Sequence, residues 1–461
     1  MIIRFIGACR TVTGSQYLLE LDGAKVLLEC GLYQGHRAEA ERINRTFAFK
    51  PRDIRCVILS HAHLDHSGNL PHLYNNGFTG RVFCTPATMD VTRHLLLDSA
   101  KIQEGDIEHL NKKLAAQNQP LKSPLYTVAD AEAVLEQFTG NPYGVAFSPV
   151  KGMKVTFFDA GHILGSAVVL VETATQKLLF SGDLGRYHMP IIRDPVVVRG
   201  PHYIMLESTY GNRVHPTTQG VTENIRQIIQ VAIDQHGRVV IPAFAVERTQ
   251  ILITILKELY DDGFLRDVPV YVDSPLAVNA SDIFKMHPEC FDDETNAFIK
   301  ADKHHTALGF DRLIYTRSVE ESKALNNRTD PMIIISASGM AETGRILHHL
   351  RNNIGNPKNT VLIVSWQAPD TLGRRLADRE KKVRIFGEEY EVKAEVATIG
   401  GLSAHAGQDF LVEYALRVKG RAKQVFLSHG EPIPAEALSE KLVEAGMEKP
   451  FYPERGVSVE I

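Results

Sequence analysis

Four side chains able to bind a metal ion crowd into six residues of this sequence: His61, His63, Asp65 and His66, in the run HAHLDH. Imidazole nitrogen suits zinc and similar borderline cations, and a carboxylate adds charge that neutralises a divalent ion. Side chains alternate along an extended chain, so His61 and His63 point the same way. A turn at Leu64 lets Asp65 and His66 face a second point, so one hexapeptide can serve two adjacent ions. It cannot close both sites, because each ion needs about four ligands. More ligands are therefore expected at other strand ends. His162 follows the apolar run VTFFDAG, and Asp183 follows LLFSG. Both stand where a strand breaks at glycine, a position from which loops present functional groups. The chemistry this pattern points to is metal-assisted hydrolysis.

The elements that must position these residues can be read from the apolar pattern. IIRFIGA, YLLELDG and AKVLLECG form a series of short strands, the last two separated by a turn around Asp22-Gly23. CVILS runs straight into the metal-binding hexapeptide. Residues 98–140 are polar with a helical pattern and read as an insertion covering one edge. Strands resume at MKVTFFDAG, AVVLVET, KLLFSGD and HYIMLES. From about 220 to 365 apolar β-rich runs such as RVVIPA, VPVYVD, MIIIS and TVLIVS alternate with helical segments. That rhythm implies a mainly parallel sheet flanked by helices, a second α/β unit. The last stretch returns to short strands and helices and carries two isolated histidines, His405 and His429. It can complete the first domain, which makes the middle unit an insertion.

The chain has 461 residues, 44% of them apolar and 23% charged, enough to bury a substantial core in two or three domains. A net charge of -4 gives no sign of a basic nucleic-acid binder, although a small cationic cleft can sit on an acidic surface. The five cysteines include no CxxC pair and read as reduced core thiols. The N-terminus lacks the apolar stretch of a signal peptide, and no apolar run approaches the ~18 residues of a membrane span. A cytoplasmic location is expected.

HAHLDHSG, DAGHILGS and FSGDLG resemble the successive motifs of the metallo-β-lactamase superfamily. The resemblance implies an α/β fold, an αββα sandwich with two zinc ions per chain between strand ends. Carried over by position, one zinc takes His61, His63 and His162, and the other takes Asp65 and His66, with Asp183 bridging both. The family usually has aspartate at the end of an early strand, where this sequence has Glu29. The group at that position orients a metal ligand and does not itself bind metal.

The rest of the chain resembles the β-CASP subgroup, the nucleic-acid-processing branch of that superfamily. The carrying sequences are LESTYGNR, PAFAVERTQ, DSPLA, SASGMAETGRILHHL, GGLSAHAGQ and LSHGE. The likeness is greatest to the compact bacterial ribonucleases of the group and to the catalytic subunit of the pre-mRNA cleavage machinery. It implies a metallo-β-lactamase domain built from residues 1–210 and 386–461, with a β-CASP domain, 211–385, inserted. Glu207, His405 and His429 match the three motifs of the subgroup. His429 would be the remaining ligand of the ion held by Asp65 and His66; a histidine there resembles the RNA-directed members, a valine the DNA-directed ones. His405 would pair with Glu207 near the leaving group, and an imidazolium held by a carboxylate is a good proton donor near neutral pH.

The strand MIIIS enters a small-residue turn that opens a helix, a ready anion site of free backbone N–H groups. Ser338, Gly339 and Thr343 are candidates to hold a backbone phosphate there, and Arg213, Arg248 and Arg374 are candidate phosphate contacts. His348 and His349, further along the helix, read as packing or solvent-facing residues.

The expected activity is that of a zinc ribonuclease, cutting single-stranded RNA internally, with cutting from the 5′ end left open, by a two-metal mechanism with a bridging hydroxide. Asp65, Asp183, Glu207 and His405 carry the catalytic roles, the inserted domain clamps the RNA, and a homodimer is a reasonable expectation from the family. Two other readings compete. A hydrolase of the same fold acting on DNA or small esters is one, and the inserted unit argues against a small substrate. A non-catalytic RNA-binding homologue is the other, and the filled ligand set argues against it.

Overall fold

The computed structural model describes residues 1–35, 37–216, 220–302, 304–368, 370–418, 420 and 422–461. These form two compact units. The first comprises Met1–Tyr187, Arg193–Val214 and Ala404–Ile461, and the second His188–Ile192 and His215–Ser403.

The first unit holds two sheets. Strands β1 (Ile2–Phe5), β2 (Tyr17–Leu21), β3 (Ala24–Leu28), β4 (Ile54–Ile58), β5 (Arg81–Cys84) and β6 (Phe138–Gly140) join β20 (Ser458–Glu460) in the order β20-β1-β2-β3-β4-β5-β6. Strands β7 (Lys154–Asp159), β8 (Ala167–Glu172), β9 (Lys177–Phe180) and β10 (Tyr203–Glu207) join β19 (Gln424–Ser428) in the order β19-β10-β9-β8-β7. Alternation along single strands explains the layering. Cys56 and Ile58 of β4 pack with Val155, Phe157, Val169 and Phe180 in the layer shared by the sheets. Val57 turns the other way, onto Leu70, Leu96 and Val134 of the helices outside the first sheet. In β8, Val169 and Val171 face the shared layer, whereas Val168 and Leu170 face Phe410, Leu411, Leu438 and Leu442 of the outer helices. Each sheet is thus covered on both faces, and each such buried aliphatic side chain contributes about 1.5–3 kcal/mol. This is the αββα sandwich.

Residues 98–140 do more than cover an edge. The helix Pro86–Ala116 starts earlier, capped by the Thr85 side chain, and packs on the helix Val128–Leu135. Phe138–Gly140 is itself the edge strand, parallel to β5. A three-residue strand is too short to show an alternating pattern.

The loops before β2 and after β3 grip the histidine-rich hexapeptide by its backbone. Cys30 N–H donates to the His66 carbonyl at 2.7 Å, Leu32 N–H to the Leu64 carbonyl at 2.8 Å, and Ser15 N–H to the Asp65 carbonyl at 2.8 Å. Gly31 sits at the closest approach, where an added Cβ would lie 1.6 Å from the Asp65 carbonyl oxygen. Gly31→Ala is therefore expected to destabilise the fold by about 3 kcal/mol, the upper end of ordinary overpacking, and a urea titration measures it directly.

The second unit centres on a parallel sheet of β11 (Arg238–Ala243), β12 (Val270–Asp273), β13 (Leu313–Thr316), β14 (Met332–Ala337), β15 (Thr360–Ile363) and β18 (Glu395–Thr398), in the order β13-β12-β14-β11-β15-β18. Its central strands are apolar on both faces, as a sheet covered by helices on each side requires. A small antiparallel hairpin, β16 (Lys382–Ile385) and β17 (Glu388–Glu391), precedes β18. The boundary read at residue 385 falls short of this unit, because Glu395–Thr398 pairs in parallel with Thr360–Ile363. Among the described residues, no helix is long and apolar enough to cross a membrane.

Candidate metal centre

Strands β3, β4, β7, β9, β10 and β19 each end beside one of the residues singled out above. Strands β3 and β4 are parallel neighbours, and Glu29 and His61 follow their last residues by one and three positions. In the other sheet β9, β10 and β19 are mutually parallel, and β7 runs the same way through the antiparallel β8. His162 follows β7, Asp183 follows β9, Glu207 closes β10 and His429 follows β19. The register pairs Glu207 with Ser428, which brings residues 207 and 429 side by side across half the sequence.

Two of the four donor groups that result among the described residues gather the expected ligands. In the first, the ligand atoms of His61, His63, His162 and Asp183 all lie within 4.8 Å of one another, and the same holds for Asp65, His66 and His429 in the second. A single oxygen joins them: Asp183 Oδ2 is 3.5 Å from His61 Nε2, 3.7 Å from His162 Nε2 and 3.4 Å from His66 Nε2. His429 Nε2 lies 3.2 Å from His66 Nε2 and 3.3 Å from Asp65 Oδ2.

The donor chemistry fits metal ions. His63 Nδ1 faces both His61 Nε2 at 3.1 Å and His162 Nε2 at 3.3 Å. A neutral imidazole has one lone-pair nitrogen and one N–H. Three ring nitrogens at one point therefore cannot all be satisfied by hydrogen bonds to each other, whereas a cation accepts all three lone pairs. Asp183 Oδ1, buried in the same place, accepts no hydrogen bond among the described residues. Burial holds His61 and His162 far below the usual imidazole pKa and His63 down to about 4, so these rings are neutral, the form that ligates metal. Burial alone would raise the Asp183 pKa, but the surrounding imidazoles outweigh it and keep the carboxyl ionised.

Three groups behind these candidate ligands hold them in place. The Glu29 carboxylate is fully buried; Oε2 binds His66 Nδ1 at 2.8 Å, and Oε1 accepts from Ser60 N–H at 2.7 Å. The longer glutamate arm thus reaches the ligand from a residue in the left-handed region, φ 61°. Ser60 Oγ lies 3.0 Å from His61 Nδ1, and Thr209 Oγ1 lies 3.0 Å from His429 Nδ1. Sequence reasoning missed both hydroxyls, although each stands within two residues of a motif residue. Glu29→Gln, which weakens the hold on His66, is expected to lower metal affinity about 10- to 100-fold in a chelator competition titration.

His405 comes from the loop before the helix Gln408–Val418. Its Nδ1 is 3.2 Å from Glu207 Oε2 and 3.9 Å from Asp183 Oδ2. Burial would lower its pKa, but the Glu207 and Asp183 carboxylates dominate and push it up to about 9. Glu207 is fixed in turn, its Oε1 accepting from Leu184 N–H at 2.6 Å.

The suggested phosphate contacts are divided between the two units. Arg213 is exposed on the first unit. Arg248, Ser338, Gly339, Thr343 and Arg374 belong to the second unit. Arg374 pairs with Asp378 at 2.8 Å, and Arg248 is buried in the first turn of the helix Arg248–Asp261. Ser338 Oγ accepts from Glu342 N–H within its own turn, Gly339 is covered by the Phe244 ring, and Thr343 is exposed. His348 lies against Phe386, and His349 is buried on Asp273.

A sandwich of two sheets with histidines and aspartates gathered at its strand ends defines a metallo-β-lactamase-type hydrolase. Family models match the chain in three stretches: the metallo-beta-lactamase superfamily at residues 10–211, the Beta-Casp domain at 249–376, and the Zn-dependent metallo-hydrolase RNA specificity domain at 389–453. Ribonuclease TTHA0252 of Thermus thermophilus is 35% identical over 444 residues, covering 96% of both chains. Transcription termination factor FttA of Methanosarcina mazei is 29% identical over 440 residues, 92% of this chain and 66% of that protein. A crystal structure of a protein of unknown function from Enterococcus faecalis, 12% identical, covers 99% of both chains with a TM-score of 0.55, a likeness of fold. The chain belongs to the β-CASP family of metal-dependent hydrolases.

Proposed function

We propose that this protein is a ribonuclease that uses two zinc ions to hydrolyse phosphodiester bonds of single-stranded RNA. The observation that carries the reading is the shared position of Asp183 Oδ2, within 3.7 Å of histidines from both donor groups. His61, His63 and His162 would hold one ion, Asp65, His66 and His429 the other, and Asp183 both. When bound, the ions supply Lewis acidity toward phosphoryl oxygens and make water nucleophilic near neutral pH. Glu207 orients His405 and favours its protonated form, so that the imidazolium donates its proton to the departing sugar oxygen. Glu29, Ser60 and Thr209 fix ring orientations, which keeps the donor set from rearranging during turnover. RNA as substrate is supported by the ribonuclease relative, by the name of the family model over residues 389–453, and by histidine at position 429.

The test is zinc quantification on the purified protein combined with cleavage of 5′-labelled and internally structured RNAs. Two zinc ions per chain and metal-dependent cutting of unpaired RNA are expected. A metal-free protein that binds RNA without cutting it would overturn the reading.

A further inference from the structure

Phe244 is an anomaly of burial. Every other residue from Val239 to Ile253 is buried, yet this ring is 42% exposed. Its backbone is pinned, because the Phe244 carbonyl accepts from both Thr249 N–H at 3.2 Å and Thr249 Oγ1 at 2.8 Å. One side of the ring lies on Gly339: a Cβ added there would meet three of its ring atoms at 2.8–3.0 Å. Gly339 in turn is tied to the next loop, its carbonyl accepting from Gln367 Nε2 at 2.9 Å. Beside Gln367 stands Trp366, the single tryptophan of the chain, 47% exposed.

These residues share one edge. Phe244 follows β11, Gly339 follows β14 and Trp366 follows β15, and β11 lies between the other two in the parallel sheet. Extending the register Ala243↔Ala337 and Val240↔Val361 sets Phe244 level with Ser338 and Ser365. The carboxyl edge of a parallel sheet is where open α/β units take their ligands. Aromatic rings held rigidly in water are what unpaired bases stack on, irrespective of sequence. An aliphatic patch would suit a protein partner equally, whereas two flat rings on hydrogen-bonded loops match bases.

We propose that Phe244 and Trp366 form a base-stacking platform for single-stranded RNA, with Gly339 present because any side chain would displace the Phe244 ring. The inference rests on the ribonuclease reading and adds the part of the substrate that this edge recognises.

Two phosphorothioate oligomers of equal length and charge test it on the full-length protein, an oligoadenylate and its abasic counterpart. The wild type is expected to prefer the base-bearing oligomer by about 5- to 150-fold per stacked base, and only that oligomer quenches the Trp366 emission. The preference should collapse in Phe244→Leu and survive in Phe244→Tyr, which keeps a ring. Because it is a ratio within one protein, partial misfolding of a variant does not imitate the result. Equal binding of the two oligomers by the wild type, equal quenching by both, or an undiminished preference in Phe244→Leu would overturn the platform. Failure of the zinc-loaded wild type to cleave labelled RNA would instead overturn the nuclease reading beneath it.

Discussion

Asp183→Ala is expected to lower RNA cleavage by about 10³-fold or more, the loss of several kcal/mol of metal-dependent transition-state stabilisation. The variant should also purify without its full metal content. The reason is geometric: one carboxylate oxygen approaches His61, His66 and His162 within 3.4–3.7 Å, so deleting it weakens both donor groups at once. His63→Ala provides the contrast. His63 Nδ1 lies 3.1 Å from His61 Nε2 and 3.3 Å from His162 Nε2, both of the first donor group. That variant should retain about one ion per chain while losing turnover. Mass-spectrometric metal counting alongside circular dichroism separates loss of metal from loss of fold. An Asp183→Ala protein with wild-type metal and turnover would remove the bridging assignment and the proposed mechanism with it.

The second large effect is expected at His405. His405→Ala should slow RNA cleavage by about 10²- to 10⁴-fold, the range for a lost general acid, and keep its metal. The ring is held at 3.2 Å by a fully buried carboxylate, and the two nearby carboxylates keep it protonated at neutral pH. A proton donor matters only while the leaving group needs a proton. On a phosphodiester with a p-nitrophenolate leaving group the deficit should therefore shrink to a few-fold. An equal deficit on both substrates would show that His405 serves binding or metal retention, and the proton-donor role would fall.

The hexapeptide from His61 to His66 was legible because its ligands are close in sequence and follow an apolar strand. His162 and Asp183 could be read because glycines mark the strand ends they leave. What brings these residues together could not be read: the parallel pairing of β10 with β19 sets Glu207 level with Ser428, and no local pattern encodes a partner more than two hundred residues away. The same blindness explains the boundary at 385. The run EVAT of β18 is short and half polar, so nothing in it reveals that it extends the second sheet. The contacts within the turn after β14 were hidden for a related reason. Its Ser338 hydroxyl is used within the turn, and its glycine is covered by a ring from the neighbouring strand. Ser60, Thr209 and Phe244 escaped notice because hydroxyls and single aromatics carry no spacing signal.

The order of these residues along the chain has a consequence during synthesis. The residues of the first donor group are made early, by position 183, but His405 and His429 follow the whole second unit. A nascent polypeptide halted anywhere before residue 405 possesses neither the proposed proton donor nor the last histidine of the second group, however well its N-terminal half has folded. On the proposed mechanism the enzyme is born inactive beside the ribosome, a body made largely of RNA, and acquires its cutting power only once the segment after the second unit has been made.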